Sequence, residues 1–247
     1  METHRDVLLL RVETDHGDGW GECVALQEPR YSPEFVDGAQ LVIRDHLWPD
    51  LTGGGPLIAA DVARRLAPFE GHPMARATLE MAVLDTELRA TGRTLHDLFG
   101  GGRERVPSGV SVGIFDTLDE SIVSLQTAAD AIELGAAEVV NIKPGRFGGH
   151  LEARQIHDLC VDRGVPVWCG GMLETGIGRA ANAALAALPG FTLPGDISAS
   201  TRFSRRDIVR DPITVTDGQV TIPTAPGLGF DLDVVFLDEI TTASVTI

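Results

Sequence analysis

The stretch that decides the fold is VVNIKPG, residues 139–145, a short β-branched run that stops at a Pro-Gly break. Such a run predicts a buried parallel strand with Lys143 at its carboxyl end. Barrels of alternating strands and helices carry their catalytic groups at these strand ends. Lys143 is also the only lysine among the 20 Lys and Arg residues. Because lysine can lose its proton and arginine cannot, Lys143 is a candidate base; the alternative is a chance surface lysine.

The same pattern continues on both sides of this stretch, from residue 106 to residue 207. Short apolar runs alternate with helical patterns, and each run ends in a loop rich in glycine or acidic residues. This alternation predicts βαβ units and a parallel sheet. The expected strands are 110–114, 139–142, 165–169 and 191–194, and the expected helices are 120–134, 150–162 and 178–188.

Residues 1–105 have a mixed α+β pattern instead. It predicts a hairpin and three helices, at 7–24, 32–47, 59–66 and 73–89. Glu80 and Asp85, both in the third helix, are interpreted as solvated or capping charges rather than catalysts. Residues 208–247 return to β and turn signals, and we expect them to pack back on residues 1–105. The remaining residues, 106–207, would form the second domain.

Composition excludes several classes of partner. A formal net charge of −16 argues against nucleic acid and against an anionic membrane surface. No apolar run approaches the roughly 18 residues that span a bilayer. The three cysteines have no C-x-x-C spacing, so they predict reduced thiols rather than a zinc site or a disulfide framework. We therefore expect a cytoplasmic protein.

The loops after the predicted strands resemble those of the enolase superfamily. The segments concerned are NIKPGRFGG (141–149), PVWCGGMLETG (166–176) and LPGD (193–196). They are most similar to the group of o-succinylbenzoate synthases and N-acylamino acid (N-succinylamino acid) racemases. The segments GWGEC (19–23) and EMAVLD (80–85) are similar to the capping domain of that group. The resemblance extends from Leu8 nearly to the end of the chain.

The resemblance implies a lyase or isomerase that removes a proton α to a carboxylate of a small-molecule substrate. In the synthases this is a dehydration in menaquinone biosynthesis. A divalent cation, Mg²⁺ or Mn²⁺, stabilises the enediolate. Lys143 matches the second of two facing lysines, and Asp119 matches the third metal carboxylate. Gly170, Gly171 and Met172 match a loop that contacts the acyl arm of the substrate.

The chain also departs from the family pattern. It has no Lys-x-Lys strand and no strands for the first two metal carboxylates, and it begins after the family's first strand. Only three residues separate the predicted strand end Ile114 from Leu118, far fewer than a parallel crossover needs. We interpret 114–119 as one fused strand from which half a barrel was deleted. The expected fold is α/β plus α+β: an incomplete (β/α) TIM-type barrel of about four parallel strands, with an N-terminal enolase-like capping domain.

Such an open sheet has bare edges, which would be covered by the capping domain or by a second copy in a homo-oligomer. A gene-model error that dropped an internal segment is the other explanation of the join. Three functional hypotheses follow: an active lyase or racemase on a shortened barrel, a silent relative that acts as a binding or interaction module, or a fragment of an intact enzyme. With Asp119 as the one surviving metal carboxylate, we expect weak Mg²⁺ binding.

Overall fold

The structure, a computed structural model, describes residues 4–109 and 122–247. These residues form ten α-helices and seven short strands. The strands are β1 (Leu8–Thr14), β2 (Gly17–Cys23), β3 (Arg105–Pro107), β4 (Val140–Ile142), β5 (Val167–Cys169), β6 (Val215–Thr216) and β7 (Gln219–Thr221). The helices are α1 (Val36–Val42), α2 (Trp48–Thr52), α3 (Ala59–Arg65), α4 (Pro73–Ala90), α5 (Leu95–Leu98), α6 (Leu125–Glu133), α7 (Pro144–Phe147), α8 (His150–Asp162), α9 (Gly176–Ala186) and α10 (Val234–Ile240).

The hairpin β1–β2 packs on α4, the longest helix of the described residues. Two glycines of β2 allow the close approach of the helix. A Cβ atom at Gly21 would lie 2.0 Å from the carbonyl oxygen of Thr78, and one at Gly19 would lie 2.1 Å from that of Ala82. No real Cβ atom tolerates such a distance, so only glycine fits at these two positions. The predicted hairpin and the predicted third helix are both confirmed.

The second half of the chain contains the parallel pairing that the VVNIKPG stretch predicts. β4 and β5 are parallel, with Ile142 opposite Cys169, and all three residues of β4 are buried. The pairing continues beyond β5, because the Asp196 N–H donates to the Cys169 carbonyl at 2.8 Å. Gly195 in turn forms a parallel bridge with Ser108. Helices α8 and α9 follow β4 and β5 in the chain, which confirms a βαβ unit.

Within residues 4–109 and 122–247 the strands form small sheets and no closed barrel. The predicted strand 110–114, the fused strand 114–119 and Asp119 lie outside the described residues. The count of about four parallel barrel strands therefore stays a prediction.

Two predicted elements were wrong in detail. The helix expected from residue 32 begins at Val36, because the Ser32 hydroxyl accepts a hydrogen bond from the Glu34 N–H at 3.2 Å and closes a local turn instead. The strand expected at 191–194 is absent, and the pairing starts one residue beyond its expected end, at Gly195. Pro194 has no N–H to donate to a neighbouring strand, which explains the shift.

The last forty residues contact the first part of the chain. β7 pairs with β3 in an antiparallel sheet, and the Leu95 N–H donates to the Gly227 carbonyl at 2.9 Å. The carboxylate of Asp85 accepts from the Leu228 N–H at 2.9 Å and from the Trp20 N–H at 3.0 Å. Asp85 thus joins α4, the hairpin and the C-terminal segment. None of the helices in the described part of the chain is long and apolar enough to cross a membrane.

Candidate active site around Lys143

A cavity of about 190 Å³ opens at the carboxyl ends of β4 and β5. It brings together three residues that the sequence singled out, Lys143, Gly171 and Met172. Four of the eleven wall residues are charged, two basic and two acidic, and most of the others are apolar. The wall residues are Val24, Leu26, Tyr31, Lys143, Gly171, Met172, Leu173, Glu174, Arg179, Asp196 and Phe203.

Lys143 directly follows β4, where the chain turns into the short helix α7. Its Nζ atom donates a hydrogen bond to the Tyr31 hydroxyl at 3.1 Å and lies 5.4 Å from the centre of the Tyr31 ring. Its aliphatic stem lies along Gly170, where a Cβ atom would come within 2.9 Å of both Cγ and Cε of Lys143. Gly170 therefore leaves room for the lysine stem, while Gly171 and Met172 form the cavity wall.

The loop after β5 is held by its own hydrogen bonds. The Glu174 carboxylate accepts from the Met172 N–H at 2.8 Å and from the Asn182 side-chain amide at 2.9 Å. A Cβ atom at Gly171 would lie 2.5 Å from the Asp196 carbonyl oxygen, so this position also requires glycine. Leu173 adopts a left-handed backbone with φ 64°, a conformation uncommon for a bulky residue. This bent loop forms a preformed wall of the cavity.

Arg179 is the buried cation of the site, with 2% of its surface exposed. Its guanidinium donates to the carbonyl oxygens of Ser198 at 2.7 Å and Glu174 at 2.6 Å, and it lies 5.4 Å from the centre of the Phe203 ring. Among the described residues, no Asp or Glu carboxylate lies within 4.0 Å of it. Glu174 and Asp196 line the same cavity, so its two basic side chains stand beside two acidic ones.

The chain matches the family described as enolase C-terminal domain-like over residues 105–235. An N-succinylamino acid racemase from Amycolatopsis is 41% identical, and the match covers 98% of this chain and 92% of that protein.

This chain belongs to the enolase superfamily.

Other relatives agree with this membership. An o-succinylbenzoate synthase from Bacillus subtilis is 31% identical over 94% of this chain and 88% of its own length. The crystal structure of an enolase superfamily member from Enterococcus faecalis, described as unknown, has a TM-score of 0.87 and 25% identity, and it matches 94% of this chain and 89% of that one. The match to the Amycolatopsis protein runs over 339 positions, more than the 247 residues of this chain. That relative thus contains residues without a counterpart here, in agreement with the predicted internal deletion.

Members of this superfamily generally use Mg²⁺. The question is therefore whether the side chains of the site could coordinate this ion. Mg²⁺ requires near-octahedral oxygen coordination, usually with carboxylates. No three His, Cys, Asp or Glu side chains converge within the described ranges 4–109 and 122–247. At the cavity, Glu174 is occupied by two hydrogen bonds, and Asp196 lies 3.5 Å from the Arg202 guanidinium. The described residues alone therefore do not fit a magnesium site, and Asp119 lies outside them.

Two buried carboxylates from the first part of the chain accept hydrogen bonds from the starts of the helices α9 and α8. Glu22, on β2, accepts from the Thr175 N–H at 2.8 Å and the Gly178 N–H at 3.1 Å, at the start of α9. Glu80, on α4, accepts from the His150 N–H at 3.1 Å and the Leu151 N–H at 2.9 Å, at the start of α8. Burial raises the pKa of Glu22, and it raises the pKa of Glu80 to about 7. The hydrogen bonds from the helix starts oppose this rise, because negative charge is favoured at a helix N-terminus, but burial outweighs them.

Sequence reasoning missed Tyr31 and Glu174 as parts of the site. Tyr31 lies between the hairpin and α1, where no periodic pattern points to a role. One signal was available, since Tyr31 is the only tyrosine of the chain. Glu174 stands within the GGMLETG segment, but its hydrogen bonds to Met172 and Asn182 depend on how the loop folds back on α9.

Proposed function

We propose that the cavity around Lys143 binds a small carboxylate of the kind that the named relatives process, an N-succinylamino acid or the precursor of o-succinylbenzoate. Lys143 would act there as the base that removes the proton α to the carboxylate. One observation carries this proposal: the Lys143 amine and the loop residues Gly171 and Met172 line the same cavity of about 190 Å³. Arg179 also lines this cavity, together with the acidic residues Glu174 and Asp196.

The chemical step begins with the break of the Cα–H bond. The proton moves to the lone pair of Lys143 Nζ in its neutral amine form, and the electron pair of the broken bond forms the enediolate. General-base catalysis contributes about 10²- to 10⁴-fold in rate. Enzymes reach about 10⁶-fold or more, and in the family a divalent cation supplies the missing stabilisation of the enediolate. Because the described residues lack the donor set for that cation, we expect turnover to be slow or undetectable.

A single lysine also limits the outcome of the reaction. Racemisation needs a base on each face of the substrate, and this chain has one lysine. We therefore expect racemisation to be lost. Two one-base processes remain open: a syn dehydration, and return of a solvent proton to the same face of the α-carbon.

Proton exchange in D₂O tests the proposal with the greatest sensitivity. We expect the α-proton of an N-succinylamino acid to be replaced by deuterium with retention of configuration, and we expect no exchange with Lys143→Ala. Proton NMR measures the exchange, and chiral chromatography measures the configuration. Equal exchange by both proteins would refute the role of Lys143, and formation of the other enantiomer would refute the one-base scheme.

The second candidate function is a binding module without turnover. It is favoured by the missing donor set, because no group of three metal-binding side chains exists in the part of the chain that the structure describes. Calorimetric titration with N-succinylamino acids separates the two candidates. Binding without any proton exchange supports the module, and exchange that Lys143→Ala abolishes supports the enzyme.

The domain division belongs to the same proposal. Residues 1–105 together with 208–247 would form a capping unit, and 106–207 would form the barrel unit of about four parallel strands. A homo-oligomer would cover the open sheet edges. Sedimentation equilibrium tests the homo-oligomer. A monomer at high protein concentration would mean that the capping unit covers the sheet edges instead.

A further inference from the structure

The only tyrosine and the only lysine of the chain meet at the cavity, although 112 positions separate them. Two contacts join the residues: the hydrogen bond from Nζ to the Tyr31 hydroxyl at 3.1 Å, and the position of Nζ 5.4 Å from the ring centre. A cation within about 6 Å of an aromatic ring centre is attracted by the ring quadrupole. Tyr31 thus contacts the reactive atom of Lys143 in two ways.

Two neighbours lie against the Lys143 side chain. Its stem passes close to Gly170, where a Cβ atom would lie 2.9 Å from both Cγ and Cε of the lysine and 2.2 Å from the Asn141 side-chain oxygen. Tyr31 contacts the Nζ atom. A lysine side chain is flexible and loses rotamer freedom when it is fixed, so a base at the end of such a chain needs a partner that keeps it at one location.

Tyr31 also stands between two cavities. Its side chain forms part of the wall of the 190 Å³ cavity and part of the wall of a second cavity of about 390 Å³, which is also lined by His72, Met74 and Arg146. Tyr31 is 41% exposed, and its contact with Lys143 lies at the boundary of the two cavities.

We infer that Tyr31 is a positioning residue for Lys143, which keeps the Nζ atom at the wall of the smaller cavity. The catalytic consequence rests on the proposed function, because it assumes that Lys143 is the base. The contact itself does not, and it is measurable without substrate.

Acylation of the lysine amine tests the contact directly. An acetylating reagent such as acetic acid N-hydroxysuccinimide ester modifies amines, and Lys143 is the only lysine of the chain. A lysine-containing reference peptide, added to the same reaction, serves as the internal standard in the mass spectrum. We expect Tyr31→Ala to raise the ratio of Lys143 to reference-peptide acetylation by roughly two- to fivefold, as the loss of an exposed cation–π contact supports. Tyr31→Phe keeps the aromatic ring and loses the hydroxyl, so its acetylation ratio should lie between those of the wild type and Tyr31→Ala.

Leu26→Ala is the matched control, because Leu26 also lines the smaller cavity. It should leave the ratio unchanged. Equal increases of Lys143 acetylation in Leu26→Ala and Tyr31→Ala would mean that access to the cavity, not the tyrosine, controls the reactivity of the lysine. That result would overturn the inference. No acceleration in Tyr31→Ala would overturn it as well.

A spectroscopic signature distinguishes positioning from a structural role. With ¹³C-labelled tyrosine, the protein gives the ring signals of one residue. We expect Lys143→Met to shift these signals and Leu26→Ala to leave them in place; unshifted signals in Lys143→Met would contradict the contact. Because both readouts need no substrate, failure of the exchange assay together with a positive result here refutes the proposed function and leaves the inference standing.

Discussion

The hairpin–α4 region and the parallel region, formed by β4 and β5, differ in what their charged side chains contact. On the hairpin and α4, the carboxylates of Glu22, Glu80 and Asp85 are almost fully buried, and all of them accept hydrogen bonds from backbone N–H groups. At the carboxyl ends of β4 and β5, Lys143 lines a cavity, and its Nζ atom contacts the side chain of Tyr31. The three buried carboxylates join distant segments of the backbone, whereas the lysine amine faces a space that a ligand can enter. The comparison therefore places the proposed chemistry at the parallel region.

The largest expected effect is the loss of activity in Lys143→Ala. If the cavity region carries the chemistry, α-proton exchange should fall by about 10²- to 10⁴-fold, the contribution of a general base. The free energy of unfolding should change by no more than about 0.5 kcal/mol, as for a surface substitution. Exchange by NMR and unfolding in urea measure the two quantities. A large loss of stability with unchanged α-proton exchange would mean that Lys143 has a structural role and not a catalytic one.

Gly21→Ala should cost about 3 kcal/mol of stability or more, because a methyl group would collide with the Thr78 carbonyl oxygen at 2.0 Å and push α4 off the hairpin. Gly54→Ala is the control, since its Cβ atom would meet only the flexible end of Arg65 at 3.4 Å. Denaturant unfolding of both variants measures the difference. Similar stabilities would show that the hairpin and α4 are not tightly joined.

A third test uses the pH dependence of Glu80 and its neighbour His150, whose Nδ1 atom lies 4.0 Å from a Glu80 oxygen. Burial raises the pKa of Glu80 from 4.5 to about 7. Its stabilising contribution is therefore full below pH 4.5 and is lost as the pH rises through 7. Burial lowers the pKa of His150 from 6.5 to about 4, so its contribution is full above pH 6.5 and is lost as the pH falls through 4. The slopes of stability against pH that the two groups contribute therefore have opposite signs.

Single variants should separate these slopes. Relative to the wild type, the stability of Glu80→Gln should change more positively with rising pH between 4.5 and 6.5, and that of His150→Asn more negatively over the same window. Each change should reach at most about 3 kcal/mol, because one pKa unit corresponds to about 1.4 kcal/mol. Urea unfolding at several pH values measures them. Two variants with the same slope as the wild type would show that neither group titrates in the folded protein.

The smallest expected effect is metal binding. With Asp119 as the one matching carboxylate, Mg²⁺ or Mn²⁺ should bind with a dissociation constant of about 1 mM or weaker. Calorimetric titration of the wild type and Asp119→Asn measures it. Micromolar affinity that Asp119→Asn abolishes would mean that other carboxylates, such as Asp116 or Glu120, complete a site with it.

The periodic elements and the loop motifs were predictable from the sequence. Helix α8 spans the predicted residues 150–162, and α4 ends one residue beyond its predicted end at 89. The start of the helix expected at Ser32 was wrong because a local side-chain hydrogen bond competed with the helix. Glu80 and Asp85 were interpreted as solvated or capping charges. The structure shows both buried as acceptors of backbone N–H groups, which only the packing of distant segments reveals.

By itself, the sequence determined the family, the βαβ unit and the position of Lys143 at the end of β4. These features depend on local runs of side chains, on Pro and Gly breaks and on motifs of adjacent residues, all of which can be read along the chain. Only the tertiary structure decided that Tyr31 meets Lys143 and that buried carboxylates of the hairpin and α4 contact the starts of α9 and α8. Those contacts join segments far apart in the sequence, and no periodicity or spacing encodes which side chains will meet once the segments pack.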